Sequence, residues 1–112
     1  MEVRSFARNA GIAPKKARVI LDEIRGKRVD EAMALLRFMP TPHARLVAKA
    51  VRSAVANAEN NYNLPPRTLR VTKAFAGDGM VYKRMLPRAR GRADQMRRRR
   101  SNITIVVSEQ ER

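Results

Sequence analysis

The sequence predicts an α+β protein in which three helices pack on a small antiparallel sheet and a long, protruding basic β-hairpin extends from that sheet. Three observations support this class. Apolar residues recur at helical spacing in three segments between residues 14 and 62. Two segments near the end of the chain alternate with the two-residue period of a strand. Between them lies a densely charged stretch, which we interpret as the far end of the hairpin.

The length of 112 residues fits one domain with a modest core. We expect a body of about residues 1–79 and 102–112 and a hairpin of about residues 80–101. The chain has no cysteine, which excludes disulfides and thiolate chemistry. It also lacks the apolar runs of a signal peptide or a membrane span. A soluble, cytoplasmic protein without a membrane partner is therefore predicted.

The first segment, EVRSFARNAGIA, is predicted to form a strand followed by a turn at residues 9–11. A first helix should begin at Pro14, because the missing N–H of proline costs nothing in the first turn, and end at Gly26. Its apolar face comprises Ala17, Ile20, Leu21 and Ile24.

Two further helices follow. Asp30 and Glu31 complement the dipole at the start of the second, whose buried stripe comprises Val29, Ala32, Met33 and Leu36. The third should be capped by Thr41, with Pro42 at its first position, and end within NAENNYN. Its apolar face comprises Val47, Ala50, Val51, Ala54 and Ala58. The small alanines predict that another element packs closely against this face.

The two strand-like segments are predicted to pair. The first should bury Leu69, Val71 and Phe75, and the second Ile103, Ile105 and Val107. If Val71 lies opposite Val107 or Ser108, pairing converges on a tip between about Pro87 and Arg92. Pro87 and Gly91 supply turn chemistry there. Each arm beyond Gly79 could then extend about 30 Å from the body.

The stretch KRMLPRARGRADQMRRRR, residues 83–100, has nine basic residues against the single acid Asp94, and so holds +8 of the net charge of +15. Such unbalanced charge repels itself, and a polyanion relieves the repulsion. Arginine binds phosphate with a forked geometry. Nucleic acid is therefore the predicted partner, bound mainly through its backbone and in a salt-dependent way. The aromatic residues, Phe6, Phe38, Tyr62, Phe75 and Tyr82, are scattered, which argues against a base-stacking platform.

Catalysis is not predicted. The one histidine, His43, lies near the predicted start of a helix and is interpreted as a surface residue. The segment GDG lacks the flanking helix of a nucleotide-binding loop. The acids Asp22, Glu23, Asp30 and Glu31 are adjacent or first-turn residues, typical of caps and surface rather than of a metal cluster. We predict no metal and no cofactor.

Several motifs resemble those of one known family. KRMLPRARGRA is followed after eight intervening residues by NITIVV, PKKARVILDEIRGK forms the first predicted helix, and AVANAENN lies in the third. Together they resemble the large-subunit ribosomal protein family numbered twenty-two, in its universal, bacterial-type form. The resemblance covers nearly the whole chain in order. Two positions depart from it, namely Met80 where the family often has proline and Asn102 where histidine is common.

The resemblance implies a structural constituent of the large ribosomal subunit that aids subunit assembly. Its implied partners are large-subunit rRNA, neighbouring large-subunit proteins and the nascent polypeptide in the exit tunnel, without self-association. Either a bacterial or an organellar ribosome is compatible with it. The implied rRNA-binding residues are Lys15, Lys16, Arg18, Arg25, Lys27, Lys83, Arg84, Arg88, Arg90, Arg92, Arg97, Arg98, Arg99 and Arg100. The implied tip in the exit tunnel comprises Met85, Leu86, Pro87, Arg88, Ala89, Arg90, Gly91, Arg92 and Ala93.

Two rival classes are compatible with the residues alone. A DNA-architectural protein also uses basic β-arms with a proline near the tip to wrap the minor groove. A preference for large-subunit rRNA over duplex DNA at matched salt would separate the two. A membrane-active cationic peptide is disfavoured, because the basic stretch lacks a continuous apolar face.

Overall fold

The computed structural model describes residues 2–87 and 93–109. It contains three helices and three strands, which confirms the predicted α+β class. In chain order the elements are β1 (Glu2–Ala10), α1 (Pro14–Ile24), α2 (Val29–Phe38), α3 (His43–Tyr62), a 3-10 turn (Pro66–Thr68), β2 (Leu69–Pro87) and β3 (Ala93–Glu109). The strands form one antiparallel sheet in the order β1–β3–β2, so that the last strand of the chain lies in the middle.

The core lies between the helices and one face of this sheet. The apolar faces predicted for α1 and α3 are buried, as are Val29, Ala32 and Leu36 of α2, while Met33 is only partly buried. Ile103, Ile105 and Val107 of the central strand are fully buried against them, as predicted. The hydroxyl of Ser5 on β1 donates a hydrogen bond to the Ala50 carbonyl at 2.7 Å. This contact confirms that the alanine-rich face of α3 allows a close approach.

The helix ends agree with the predicted chemistry, with one shift. Gly26 has a left-handed φ of 82° after α1, and its N–H donates to the Val71 carbonyl at 2.8 Å. The carbonyl of Lys27, which is half-buried, accepts from the Val71 N–H at 2.9 Å, so the α1–α2 connection pairs with β2. Helix α3 begins at His43, one residue later than predicted. Pro42 is therefore the N-cap in place of Thr41, and the Thr41 hydroxyl accepts from one N–H of the first turn, that of His43, at 3.3 Å.

The register of β2 against β3 confirms one prediction and corrects another. Val71 lies opposite Val107, as expected. The register then shifts, because Thr72 is an extra residue whose hydroxyl donates to the Val106 carbonyl at 3.2 Å. This bulge reverses the alternation of β2. The prediction that Phe75 is buried is therefore wrong: Phe75 is 53% exposed, and its neighbours Ala74 and Ala76 are buried instead.

Beyond the body, β2 and β3 continue as a two-stranded ribbon. The pairing runs from Val81 opposite Arg99 to Pro87 opposite Ala93. The predicted fold-back at residues 88–92, including Gly91, lies outside the described residues. The Cα atoms extend over 65 × 26 × 18 Å, so the molecule is much longer than it is wide.

Candidate nucleic-acid interface

Two asparagines tie the three strands together where the ribbon leaves the body. The side-chain amide of Asn102 on β3 accepts from the Asn9 N–H on β1 at 2.9 Å and donates to the Asp78 carbonyl on β2 at 3.3 Å. The amide oxygen of Asn9 accepts from the Met80 N–H on β2 at 2.9 Å. We call Asn9, Asp78, Met80 and Asn102 the hairpin clasp. It joins the end of β1 and the middle of β2 to each other and to the central strand at the root of the hairpin.

The backbone of the clasp is irregular, and its residues are of types that tolerate such backbone. The register shifts in both edge strands at this level, and Asn9 has a left-handed φ of 52°. Asparagine tolerates this conformation better than most residues do. A Cβ atom at Gly79 would lie 2.8 Å from the Asn9 amide oxygen and 2.9 Å from the Arg100 carbonyl oxygen. Any side chain at position 79 would therefore displace the clasp.

The start of α1 lies beside this root. The fully buried hydroxyl of Ser101 donates to the Ile12 carbonyl at 2.6 Å, two residues before α1 begins. Lys15 and Lys16 in the first turn of α1 are exposed, and so is Arg99 on β3. The fold thus brings together two groups of predicted rRNA-binding residues from opposite ends of the chain.

Three other predicted binding residues have partners within the protein. One is Arg100 on β3, whose Nη1 donates to the Asn9 carbonyl at 3.2 Å. The other two are Arg18 on α1 and Arg25 at its C-terminal end. Arg18 donates from Nε and Nη2 to the Ala76 carbonyl at 3.2 and 3.1 Å. Arg25 donates in the same forked way to the Ala74 carbonyl at 3.2 and 2.5 Å, and its Nη1 contacts Asp22 at 2.7 Å. Both arginines are exposed and also fasten α1 to the edge of β2. Sequence reasoning did not anticipate this structural role.

The described register of the ribbon places one pair of like charges opposite each other. Lys83 pairs with Arg97, and Tyr82 with Arg98. Because successive residues of a strand face opposite sides, the neighbouring residues Arg99 and Arg100 lie on opposite faces of β3. Paired backbone is described for the predicted positions Lys83, Arg84, Met85, Leu86, Pro87, Ala93, Arg97 and Arg98. The predicted positions Arg88, Ala89, Arg90, Gly91 and Arg92 lie outside the described residues.

A groove that was not predicted from the sequence lies on the face of the sheet that points away from the core. The groove has a volume of about 610 Å³ and a floor of Thr104 and Val106. Its walls include Arg4, Asn61, Tyr62, Lys73 and Phe75, and we call it the sheet groove. Two aromatic residues that are scattered in the sequence are thus brought to one surface. No sequence signal places Tyr62, at the end of α3, in the same groove as Phe75 on β2.

The other candidates for chemistry remain apart. His43 is half-buried at the start of α3. Within residues 2–87 and 93–109, no group of three or more His, Asp and Glu side chains is placed to hold a metal ion. None of the helices in this part of the chain is long and apolar enough to cross a membrane.

Comparison with known proteins finds relatives over nearly the whole chain. The family model described as ribosomal protein L22p/L17e matches residues 5–108. Large ribosomal subunit protein uL22 of Thermoanaerobacter sp. (strain X514) is 53% identical over 111 residues, which cover 99% of this chain and 100% of the relative. The proteins of the same name from Desulforamulus reducens and Roseiflexus castenholzii are 48% and 44% identical, over 97% and 99% of this chain and 96% and 98% of the relatives.

A β-ribbon with an arginine-rich strand, rooted beside the basic first turn of a helix, is typical of proteins that bind nucleic acid. The chain belongs to the ribosomal protein L22p/L17e family. This confirms the resemblance seen in the sequence. Membership of a family of structural ribosomal proteins also agrees with the prediction that the chain is not an enzyme.

Proposed function

We propose that the chain binds large-subunit rRNA through the first turn of α1 and the arginine-rich hairpin. As a member of its family it is a structural constituent of the large ribosomal subunit and works in the cytoplasmic ribosome. The observation that supports rRNA binding most directly is the packing of the start of α1 against the root of the ribbon, with Ser101 bonded to the Ile12 carbonyl at 2.6 Å. Basic residues from two distant segments therefore share one side of the molecule.

Charge neutralisation is the mechanism of this binding. Like charges directly opposite each other, such as Lys83 and Arg97, weaken an isolated ribbon. Phosphates between them remove that repulsion and favour the paired state. Because Arg99 and Arg100 lie on opposite faces of β3, the ribbon neutralises RNA on both of its sides. Separate rRNA segments can then approach one another, which is how the hairpin aids subunit assembly.

The tip of the hairpin, residues 85–93, lines the exit tunnel in this proposal, where it meets the nascent polypeptide. The family resemblance is the basis for this assignment. The paired backbone supports it, because β2 continues from Gly79 to Pro87 at about 3.3 Å per residue, or about 26 Å. The body at the root binds rRNA and neighbouring large-subunit proteins. We expect no self-association.

Replacement of Arg97, Arg98, Arg99 and Arg100 by alanine tests this proposal. A tagged variant should be recovered in fewer complete large subunits than the natural chain, and its binding to large-subunit rRNA should show a shallower dependence on salt. A control removes four cations from the α2–α3 side of the body, namely Arg37, Arg45, Lys49 and Arg52. Normal incorporation of the Arg97–Arg100 variant would overturn the proposal.

A further inference from the structure

We propose that the sheet groove binds an unpaired nucleotide of RNA, with its base stacked against the rings of Tyr62 and Phe75 and its phosphate held by Arg4 and Lys73. This site is separate from α1 and the hairpin. It rests on the proposed function, since rRNA supplies the nucleotide.

The aromatic walls provide the stacking surface. Tyr62 and Phe75 are 49% and 53% exposed, although both line the same groove. An exposed ring offers its face to any base, which makes stacking tolerant of sequence. Phe75 faces the groove because the extra residue Thr72 reverses the alternation of β2. Without that bulge the ring would lie on the core side of the sheet.

The two cations of the groove, Arg4 and Lys73, lie beside the next residue of the central strand that faces the groove, two positions beyond Thr104. Arg4 and Lys73 are both opposite Val106, on the two sides of the central strand. The Lys73 ammonium lies 3.5 Å from a Glu2 carboxylate oxygen, with side chains 59% and 56% exposed. An exposed pair of this kind adds little stability, so a phosphate can displace the carboxylate.

The groove suits an unpaired nucleotide better than a duplex. Its volume of about 610 Å³ lies within the range of sites for small ligands. A double helix keeps its base faces stacked and inaccessible, whereas loops and bulges of RNA offer theirs to aromatic side chains. The exposed amide of Asn61 adds a donor and an acceptor for the edge of a base.

Ring signals in NMR spectra of the full chain test the proposal. On addition of a single-stranded adenylate hexamer, the signals of Tyr62 and Phe75 should move upfield. Those of Phe38, which is 84% exposed on α2, should stay in place and serve as the internal control. An RNA duplex of six base pairs should leave all three unchanged. Unmoved Tyr62 and Phe75 signals, or an equal movement of Phe38, would overturn the proposal.

A matched pair of variants measures the affinity. Y62L/F75L keeps apolar bulk but removes both rings, and it should weaken binding of the hexamer about tenfold. F38L should not weaken it. Unchanged hexamer affinity in Y62L/F75L would overturn the groove proposal alone, provided that large-subunit rRNA still binds through the hairpin. Failure of the natural chain to bind rRNA would count against the proposed function itself.

A crosslink in intact ribosomes distinguishes RNA from protein as the occupant. Benzoylphenylalanine at position 75 keeps an aromatic ring in the groove and should attach to rRNA. The same group at position 38 is the control. Attachment from position 75 to a neighbouring protein would overturn the proposal and identify the groove as a protein-docking surface.

Discussion

The backbone N–H of Asn9 donates a hydrogen bond to the side-chain oxygen of Asn102 at 2.9 Å, although the two residues are 93 positions apart in the chain. This bond joins the end of β1 to the central strand at the level where β2 and β3 leave the body. The position of the hairpin root therefore depends on the folded body and not on the hairpin sequence alone.

Replacement of Asn102 by alanine should lower the free energy of unfolding by about 1–2 kcal/mol. The change removes the acceptor for the Asn9 N–H and the donor to the Asp78 carbonyl. Urea denaturation measures the loss, and the Asn9 amide should exchange its hydrogen faster. Asn60→Ala, at an exposed position near the end of α3, is the control. Equal stability of the two variants would show that the two hydrogen bonds of Asn102 contribute nothing.

Replacement of Gly79 by alanine should lower the unfolding free energy by about 1–3 kcal/mol, because the new Cβ overlaps the clasp. Its nearest neighbours would be the Asn9 amide oxygen at 2.8 Å and the Arg100 carbonyl oxygen at 2.9 Å. Gly77→Ala is the matched control, since a Cβ there meets nothing within 4 Å. Thermal unfolding of both variants should separate them clearly. A Gly79→Ala protein as stable as Gly77→Ala would refute this geometry.

Replacement of Ser101 by alanine should cost about 1–2 kcal/mol of unfolding free energy. The change removes the hydroxyl that donates to the Ile12 carbonyl. This buried acceptor is then left without a hydrogen bond, which is costly. Ser53→Ala, on the exposed side of α3, should be neutral in the same urea titration. A neutral Ser101→Ala variant would mean that this bond does not hold α1 near the hairpin.

Replacement of the basic residues of α1 should have two different effects, depending on the residue. Lys15→Ala/Lys16→Ala should weaken rRNA binding and reduce its salt dependence, but leave the unfolding free energy unchanged. Arg18→Ala should lower the unfolding free energy as well, by about 1 kcal/mol, because its forked bond to the Ala76 carbonyl is lost. Binding titrations and urea denaturation on both variants check this. Identical behaviour would contradict the division.

Local sequence patterns were sufficient for much of the fold. The helical spacing from Ala17 to Ile24 predicted the buried face of α1, and period-two alternation predicted the buried face of β3. The pairing of Val71 with Val107 was also predicted from these patterns. These patterns predict structure well because the side-chain spacing of a helix or strand is set by near neighbours in the chain and leaves one apolar face to be buried.

The sequence could not predict the bulge at Thr72 or its effect on the sheet. The alternating pattern of β2 shows no sign of the bulge, yet one extra residue moves Phe75 to the opposite face of the sheet. The sheet groove then depends on Tyr62, which reaches it only through the packing of α3 on β1. The hairpin clasp could not be predicted either, since it joins Asn9 to Asn102 across almost the whole chain. Such long-range contacts have no local periodicity.

Crosslinking in living cells tests the central claim of rRNA binding by the hairpin most directly. A photoreactive residue placed in turn at positions 84, 88 and 98 should attach to large-subunit rRNA, and sequencing would identify the segments contacted. Position 31, on the exposed side of α2, is the control. Crosslinks from the hairpin to large-subunit rRNA are the predicted result. Crosslinks chiefly to DNA, or to many unrelated RNAs, would contradict the account.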